Sequence, residues 1–492
     1  MVKADRAYPI KEMIWKCICE YRDRTAFEAD FGKRSITYGV LGDIIEKLVG
    51  KLYGLGCADK NVVILGHNSY EYAVTFLAAM SSRLCLIPVD PSLAVDSIIE
   101  RVRFCDADFV LCDDKTCGDT IRDKCPGIKV CDLKALFEEA EKSPEPECCL
   151  SSDVIEDDHV SLMLFSSGTG GRMKLAEITQ INLFTEYNVV KNYEEISGNA
   201  LIIAPLFHIL AIADLIGNIY MGKKVYISQG FASLLKEFEY VKPKCLRMVP
   251  ATADWLFRLI MDKTAEEGRK ILGGKLANIR TSGAPLEEKL VRGLLEYGIN
   301  TVSDYGMTEV TGPVSVGVAD GGLLKIKPDT VGRVIDGITV TIRKDKSMDH
   351  GEILVSGTPL FAGYYKDEEA SEECLHDGAF RTGDLGFIDD EGYLHIVGRR
   401  KNVIILSNGE NIIPEIMEKE LLESSLIRDC IIFKDGNAIG AKIVACEKTE
   451  NIENDIRRYI KLYNKNNPTY RQISNIYFVD KLEMTGSGKA KR

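Results

Sequence analysis

Ser161-Leu-Met-Leu-Phe-Ser-Ser-Gly-Thr-Gly-Gly-Arg-Met-Lys174 joins an apolar strand to a loop of hydroxyls and glycines that closes on two cations. Glycines let backbone N–H groups approach an anion closely, the hydroxyls of Ser166, Ser167 and Thr169 add donors, and Arg172 and Lys174 add charge. Such a loop suits phosphate. It is neither the Gly-x-x-x-x-Gly-Lys-Ser/Thr loop nor the dinucleotide Gly-x-Gly-x-x-Gly. Taken alone, it reads equally well as a flexible surface turn.

Outward from that loop, helical and strand-like stretches alternate. Tyr38–Leu55 carries apolar residues at helical spacing and stops at Gly56, and Tyr70–Met80 is also helical. Asn61-Val-Val-Ile-Leu, Cys85-Leu-Ile-Pro-Val and Phe109-Val-Leu-Cys are short apolar runs of strand length, and such alternation predicts a largely parallel sheet covered by helices. Residues 143–159, acidic and rich in Pro and Ser, predict a linker or exposed loop. Beyond it, Leu201-Ile-Ile-Ala, Lys224-Val-Tyr-Ile and Cys245-Leu-Arg-Met-Val predict further strands. Residues 331–360 are turn-rich and predict a small β-subdomain, and the last 90 or so residues suffice for a compact α+β domain.

The 492 residues suggest two to four structural units. Lys and Arg number 62 against 74 Asp and Glu, a net charge of −12 that argues against a nucleic-acid backbone binder. No signal peptide is expected from Met-Val-Lys-Ala-Asp-Arg-Ala-Tyr. The most apolar window, 201–220, holds Pro205, His208, Asp214 and Asn218, so it predicts a core segment and not a membrane span. Fifteen cysteines without a Cys-x-x-Cys pair read as reduced thiols of a cytoplasmic protein, the alternative being a metal site of Cys112, Cys117, Cys125 and Cys131.

Three more stretches carry chemistry-bearing residues: Asp304-Tyr-Gly-Met-Thr-Glu309, Phe380-Arg-Thr-Gly-Asp384, and the terminal Thr485-Gly-Ser-Gly-Lys-Ala-Lys-Arg492. Singly they read as a β-turn, an Asp-capped turn and a frayed basic tail. In order, and with Pro205-Leu-Phe-His, Ser282-Gly-Ala-Pro, Gly351-Glu-Ile-Leu-Val-Ser-Gly, Gly363-Tyr-Tyr, Gly398-Arg-Arg-Lys and Ser407-Asn-Gly-Glu-Asn, the set resembles the adenylate-forming superfamily of acyl-CoA synthetases, luciferases and nonribosomal peptide adenylation domains. The resemblance runs from about Tyr38 to Arg492 and is closest to the fatty-acyl-CoA ligases.

That resemblance implies an α/β fold. A large N-terminal domain of helix-wrapped sheets with a small β-subdomain would span residues 1–399, and a small mobile α+β lid would span 400–492, with a hinge near Lys401. It implies ATP-dependent conversion of a carboxylic acid to an acyl-adenylate with release of pyrophosphate, followed by thioester formation with coenzyme A or with a carrier protein's phosphopantetheine. Ser166, Ser167, Gly168, Thr169, Gly170, Gly171 and Lys174 would hold the β- and γ-phosphates, Glu309 would bind Mg2+, and Thr308 would touch the α-phosphate. The nucleotide site would include Asp304, Tyr305, Gly306 and Met307, with Tyr305 stacked on adenine and Gly283, Ala284 and Pro285 lining the base. Asp384 and Arg399 would hold the ribose, and Lys489 would bridge carboxylate and α-phosphate. His208 would be a wall or gate of the acid pocket, although by itself it reads equally as a core histidine.

The chain departs from the family pattern at Gly170, Met173 and Leu175, where Thr, Pro and Gly are usual. Those changes predict a looser loop and weaker ATP binding; a non-catalytic nucleotide-binding homologue is the alternative they raise. The apolar run Ile209-Leu-Ala-Ile-Ala after His208, lacking an acidic residue where amino-acid-activating members hold an ammonium, points to a fatty or aryl acid, and Ser407-Asn-Gly-Glu-Asn, which resembles the motif of the fatty-acyl members, shifts the expectation to a medium or long fatty acid.

Overall fold

The computed structural model describes residues 9–143, 154–166, 173–183, 198–283, 286, 288–317, 319–320, 323–324, 330–344, 350–406, 410–436, 438–447, 449 and 451–483. Two compact units emerge. One comprises residues 1–339 with 356–380, and the other 340–355 with 381–492.

Among the described residues the first unit holds three sheets of four or more strands and a two-stranded one, Ala319–Asp320 with Leu323–Leu324. In chain order its strands are β1 (Thr25–Ala29), β2 (Arg34–Thr37), β3 (Asn61–Leu65), β4 (Cys85–Val89), β5 (Phe109–Cys112), β6 (Lys129–Asp132), β7 (Val160–Ser166), β8 (Lys174–Thr179), β9 (Ala200–Ile202), β10 (Val225–Ile227), β11 (Cys245–Met248), β12 (Asn278–Ser282), β13 (Asn300–Met307) and β14 (Gly312–Val316). The largest sheet runs Gly363–Tyr364, β8, β7, β4, β3, β5, β6. Its β7–β4–β3–β5–β6 stretch is parallel and β8 runs antiparallel to β7. Strands β4 and β5 are buried at every residue because helices cover both faces, so their sequences read as unbroken apolar runs.

Helices α1 (Ile10–Glu20), α2 (Tyr38–Leu55), α3 (Tyr70–Met80), α4 (Val95–Phe104), α5 (Lys115–Lys124), α6 (Leu133–Lys142) and α7 (Ile209–Tyr220) supply the covering layers. Their boundaries follow local chemistry. Thr37 and Ser69 cap α2 and α3 by accepting from Val40 N and Tyr72 N, and Gly56 closes α2 in the left-handed region. Residues of α1, α2, α3, α6 and α7 share one core, and α4 and α5 cover the opposite face of the large sheet. Cys131 belongs to the first layer and Cys112, Cys117 and Cys125 to the second, so the sheet separates the four cysteines and the metal alternative fails. The thirteen cysteines among the described residues are free thiols.

A second sheet, β2–β1–β10–β9, lies under α7's core, and a third runs β11–β12–β13–β14 to Arg333–Val334. In the third sheet β11, β12 and β13 are parallel, and β14 turns back antiparallel.

In the second unit, Gly351–Gly357, Ala379–Ile388 and Leu394–Arg399 are neighbouring strands of the turn-rich β-subdomain. The C-terminal α+β part pairs Ile427–Asp435 with Ala438–Ala445 and adds Ile473–Phe478 parallel to the latter. Helices Pro414–Leu422 and Ile452–Asn466 bury Met417, Leu421, Ile456 and Ile460 in its core. The expected α/β class with a large N-terminal and a small C-terminal domain is therefore the architecture observed. By contacts the division passes through the β-subdomain and not between 399 and 400; the expected hinge near Lys401 concerns motion and stays a proposal.

Candidate active site

Strands β7 and β8 converge where the hydroxyl- and glycine-rich loop begins and ends, with Ser166 opposite Lys174. Ser167, Gly168, Thr169, Gly170 and Gly171 lie outside the described residues. On the outer edge of β8, Tyr364 pairs with Ala176 and is buried. Lys174 Nζ sits 4.4 Å from the centre of the Tyr364 ring, an attraction of about 0.5–2 kcal/mol depending on desolvation. The phenol donates to Glu309 Oε1 at 2.8 Å. Burial, then the Glu309 carboxylate, push the Tyr364 phenol far above its ordinary range, so it remains a donor. Ser166 Oγ is buried without a hydrogen bond of good geometry, close enough to the phenol to ease its ionisation slightly.

One phenol thus stands between a cation and a carboxylate. Lys174 forms no ion pair among the described residues, which leaves its charge for an anion. Glu309 has one oxygen engaged by Tyr364, and its carboxylate is the hard oxygen ligand that Mg2+ prefers beside phosphate oxygens. The side chains placed at this end of the sheet fit a metal-bound polyphosphate.

Glu309 is held from below. Strand β13 ends at Met307, and Thr308–Val310 form one 3-10 turn. Thr311 takes φ 55° and donates its hydroxyl to Pro359 O at 3.1 Å. Phe361 N donates to Glu309 O at 3.0 Å, tying this turn to the segment that carries Tyr364. A Cβ on Gly306 would meet Gly312 O at 2.1 Å, so the irregular β13–β14 register demands glycine there. Tyr305, Gly306, Met307 and Thr308 are all half-buried in succession at the carboxyl end of the parallel strands, where α/β sheets present ligands. Gly283 follows β12 at that same end with φ 94°; Ala284 and Pro285 lie outside the described residues.

Asp304 departs from expectation. Its carboxylate accepts from Arg280 Nε at 3.0 Å and Arg280 Nη2 at 3.1 Å, and from Gly317 N at 3.2 Å. Both side chains are buried, at 5% and 8% exposure. The side chain belongs to the interior of the third sheet and not to its mouth.

His208 occupies the N-cap position of α7 but makes no capping hydrogen bond, and its ring lies 4.5 Å from that of Phe207. It keeps solvent-accessible area, yet desolvation by surrounding protein draws its pKa below the ordinary imidazole value against the pull of Asp90.

In the second unit, Asp384 is buried and accepts from Arg399 Nε at 2.6 Å, with the two residues directly opposite across the strands. Thr382 Oγ1 accepts from Asp384 N and donates to Ile353 O, which fixes the turn. The two expected ribose residues are thereby brought together. Lys401 lies exposed on the 3-10 turn Arg400–Asn402. Lys489 lies outside the described residues.

Tyr364 carried no assigned role in the sequence, although Gly363-Tyr-Tyr was one of its ordered motifs; only the pairing of residues 363–364 on β8 puts it between Lys174 and Glu309. Cys374 lies in the same neighbourhood: burial pushes its thiol up to about 11, with Lys174 opposing and Glu309 reinforcing that shift. No sequence signal pointed to it.

The sequence matches the AMP-binding enzyme family over residues 15–365 and the AMP-binding enzyme C-terminal domain over 401–492. Among curated relatives, a long-chain-fatty-acid–CoA ligase, FadD15, of Mycobacterium bovis is 28% identical over 329 residues, 57% of this chain and 53% of that protein. The match thus spans about half the length of that ligase. An oxalate–CoA ligase of Arabidopsis thaliana is 26% identical over 498 residues, 96% of this chain and 95% of that one. Among solved structures, the O-succinylbenzoate coenzyme A synthetase of Bacillus subtilis, in complex with ATP and magnesium ion, superposes with a TM-score of 0.81 at 20% identity, covering 98% of each chain.

Proposed function

The chain belongs to the AMP-binding enzyme family, and we propose that it is an AMP-forming acid–thiol ligase that activates a carboxylic acid with ATP and passes the acyl group to coenzyme A. The observation that carries this reading is the Lys174–Tyr364–Glu309 cluster where the phosphate loop returns to β8. Attack of a carboxylate oxygen on the α-phosphorus builds a crowded anionic centre, so fixed cations and backbone donors are worth several kcal/mol there. In this reading Lys174, Ser166 and the loop 167–171 receive the β- and γ-phosphates, and Thr308 donates to the α-phosphate. Glu309 holds Mg2+, which supplies charge neutralisation between the phosphates. Tyr305 and Gly283–Pro285 flank adenine; Asp384, oriented by Arg399, accepts from the ribose hydroxyls.

Residues 400–492 act as the lid, turning near Lys401. Lys489 cannot sit on the phosphate while a thiol enters from the same side, so the lid needs two positions. The thiols, free throughout the described residues, support a cytoplasmic protein, and no described helix is long and apolar enough to cross a membrane.

The fatty-acid preference rested on the apolar run after His208 and on the Ser407-Asn-Gly-Glu-Asn motif. Ile209, Ala211, Ile212 and Ala213 pack into the core shared with α1, α2 and α3, which removes them as evidence for an alkyl pocket. Relatives that act on oxalate and on long-chain fatty acids leave the acid open.

The test is acid-dependent ATP–pyrophosphate exchange over fatty, aryl, short polar and amino acids, followed by CoA-dependent AMP release. Exchange in the wild type, its loss in Lys489→Ala, and thioester formation by that variant from supplied acyl-adenylate are expected. Silence of the wild type with every acid would favour a non-catalytic nucleotide binder. Exchange without CoA turnover would favour a carrier-protein acceptor.

A further inference from the structure

Tyr364 rides on a strand of only two residues, Gly363–Tyr364, which pair with Glu177 and Ala176 on the outer edge of β8. That is a slight hold for a ring standing between Lys174 and Glu309. The chain on either side of it is fastened separately. Before it, Phe361 N donates to Glu309 O at 3.0 Å and Ala362 N donates to Glu177 O at 2.8 Å. After it, Tyr365 N donates to Leu175 O at 2.8 Å, and the side chains of Tyr365 and Lys366 both meet Asp106.

Asp106 stands in the turn between α4 and β5, 259 positions from Tyr365. Its Oδ2 accepts from the Tyr365 phenol at 2.9 Å and pairs with Lys366 Nζ, which also reaches Phe104 O at 3.5 Å. The Lys366 ammonium lies 5.2 Å from the centre of the Tyr365 ring. Both ends of the ion pair lie in the left-handed region, with φ 47° at Asp106 and 57° at Lys366. Aspartate tolerates that conformation and lysine seldom adopts it; such strain persists where the surroundings fix it, and it gathers at functional sites. The two side chains are 46% and 57% exposed, and an ion pair so exposed does little for the stability of the whole fold. Its effect is local. Successive side chains of a strand face opposite ways, so anchoring Tyr365 and Lys366 on Asp106 fixes the roll of the backbone that presents Tyr364 to Lys174 and Glu309.

We propose that Asp106 is a positioning residue of the nucleotide site: by holding Tyr365 and Lys366 it sets how the Tyr364 phenol meets Glu309, and thereby how tightly the chain binds a magnesium-bound polyphosphate. The inference rests on the ligase reading above and extends its site to a surface turn that touches no substrate. Glu309 is then held from two sides. Phe361 fixes its backbone, and Asp106, acting through Tyr364, fixes its carboxylate.

The experiment measures the Mg2+ concentration for half-maximal acid-dependent pyrophosphate exchange, the KM for ATP, kcat and the thermal midpoint. Asp106→Gly removes the carboxylate and accepts the positive φ without strain. It is expected to raise the half-saturating Mg2+ by about three- to tenfold, less than the 10–100-fold typical of a group bonded directly to a metal-holding side chain. The KM for ATP should rise with it and exceed any change in kcat. Asp106→Asn keeps an acceptor for the phenol and tolerates the left-handed turn, so it should recover most of the loss. Tyr365→Phe, a second variant should Asp106→Gly not fold, is expected to shift the Mg2+ dependence in the same direction. In a Tyr364→Phe background Asp106→Gly should add little, because the route to Glu309 is already cut. An unmoved Mg2+ dependence in Asp106→Gly or Tyr365→Phe, a lowered thermal midpoint without a Mg2+ shift, or fully additive losses in the double variant overturns the proposal and leaves the ligase reading intact. Calorimetric titration with ATP and Mg2+ separates the two readings. A wild type that binds the nucleotide but exchanges with no acid overturns the ligase reading alone, and the affinity of Asp106→Gly then decides the proposal. A wild type that binds no nucleotide overturns both.

Discussion

Replacing Tyr364 by Phe removes one hydroxyl and nothing else from the Lys174–Tyr364–Glu309 cluster. The ring stays under Lys174, so the 4.4 Å cation–π contact survives, while the 2.8 Å bond to Glu309 Oε1 is lost. A hydrogen bond to a charged acceptor contributes about 1.5–3 kcal/mol, and loss of a partner that orients a metal-holding carboxylate typically costs about 10–100-fold in metal affinity or activity. Those two ranges coincide, since tenfold is about 1.4 kcal/mol. The expected result is a fall of about 10–100-fold in kcat/KM for acid-dependent exchange, with a rise in the Mg2+ concentration needed for half-maximal rate.

Between pH 6 and 9 that deficit should stay constant, because the phenol's pKa is pushed far above this window and its donor is never lost. Tyr364→Ala, which also takes the ring from Lys174, should fall further and lose stability. Wild-type kcat/KM with an unmoved Mg2+ dependence in Tyr364→Phe would refute the claim that this phenol positions Glu309 for the metal.

Asp304→Asn strands the buried Arg280 guanidinium without its counter-charge, and breaking such a pair costs about 3–5 kcal/mol; urea unfolding should show that loss, and a change under 1 kcal/mol would contradict the structural role. Asp214 gives a stability slope with pH: its folded carboxyl titrates at about 6 against an ordinary 3.8, so the folded chain binds its proton more tightly than the unfolded chain. The resulting stabilisation is fully present below about pH 4 and is lost as pH rises through 6, a change of about 3 kcal/mol. Relative to Asp214→Asn, wild type should therefore weaken by that amount between pH 4 and 7, and parallel curves would sink the assignment. Glu352, nearly buried, accepts from Arg343, Arg381 and Arg400. Glu352→Gln leaves three guanidinium groups facing one neutral amide and should cost about 2 kcal/mol, discounted because two of the arginines are half exposed.

Where local rules suffice, the sequence was legible. The α2 and α3 boundaries follow from Thr37, Gly56 and Ser69, and the parallel strands announce themselves as apolar runs because both faces are covered. Asp384 and Arg399 were named for one role by the resemblance, and the strand register sets them directly opposite each other. Tyr364 was not, because its role depends on a two-residue strand joining β8 from nearly 190 positions away. Asp304 sat inside a motif at the end of β13, yet on a strand alternate side chains face opposite ways, and its partner Arg280 is visible only once β12 and β13 are in register.

Helix α7 exposes the deeper limit. A run such as Ile209-Leu-Ala-Ile-Ala-Asp-Leu-Ile-Gly-Asn is apolar in total, and a composition argument assigns that character to whatever the helix touches. Burial is assigned by face, not by average. With 3.6 residues per turn, Leu210, Asp214 and Gly217 share one side of the helix while Ile212, Leu215, Ile216 and Ile219 share another. The apolar majority is consumed by a core that any fold of this kind must fill, and its size says nothing about the ligand.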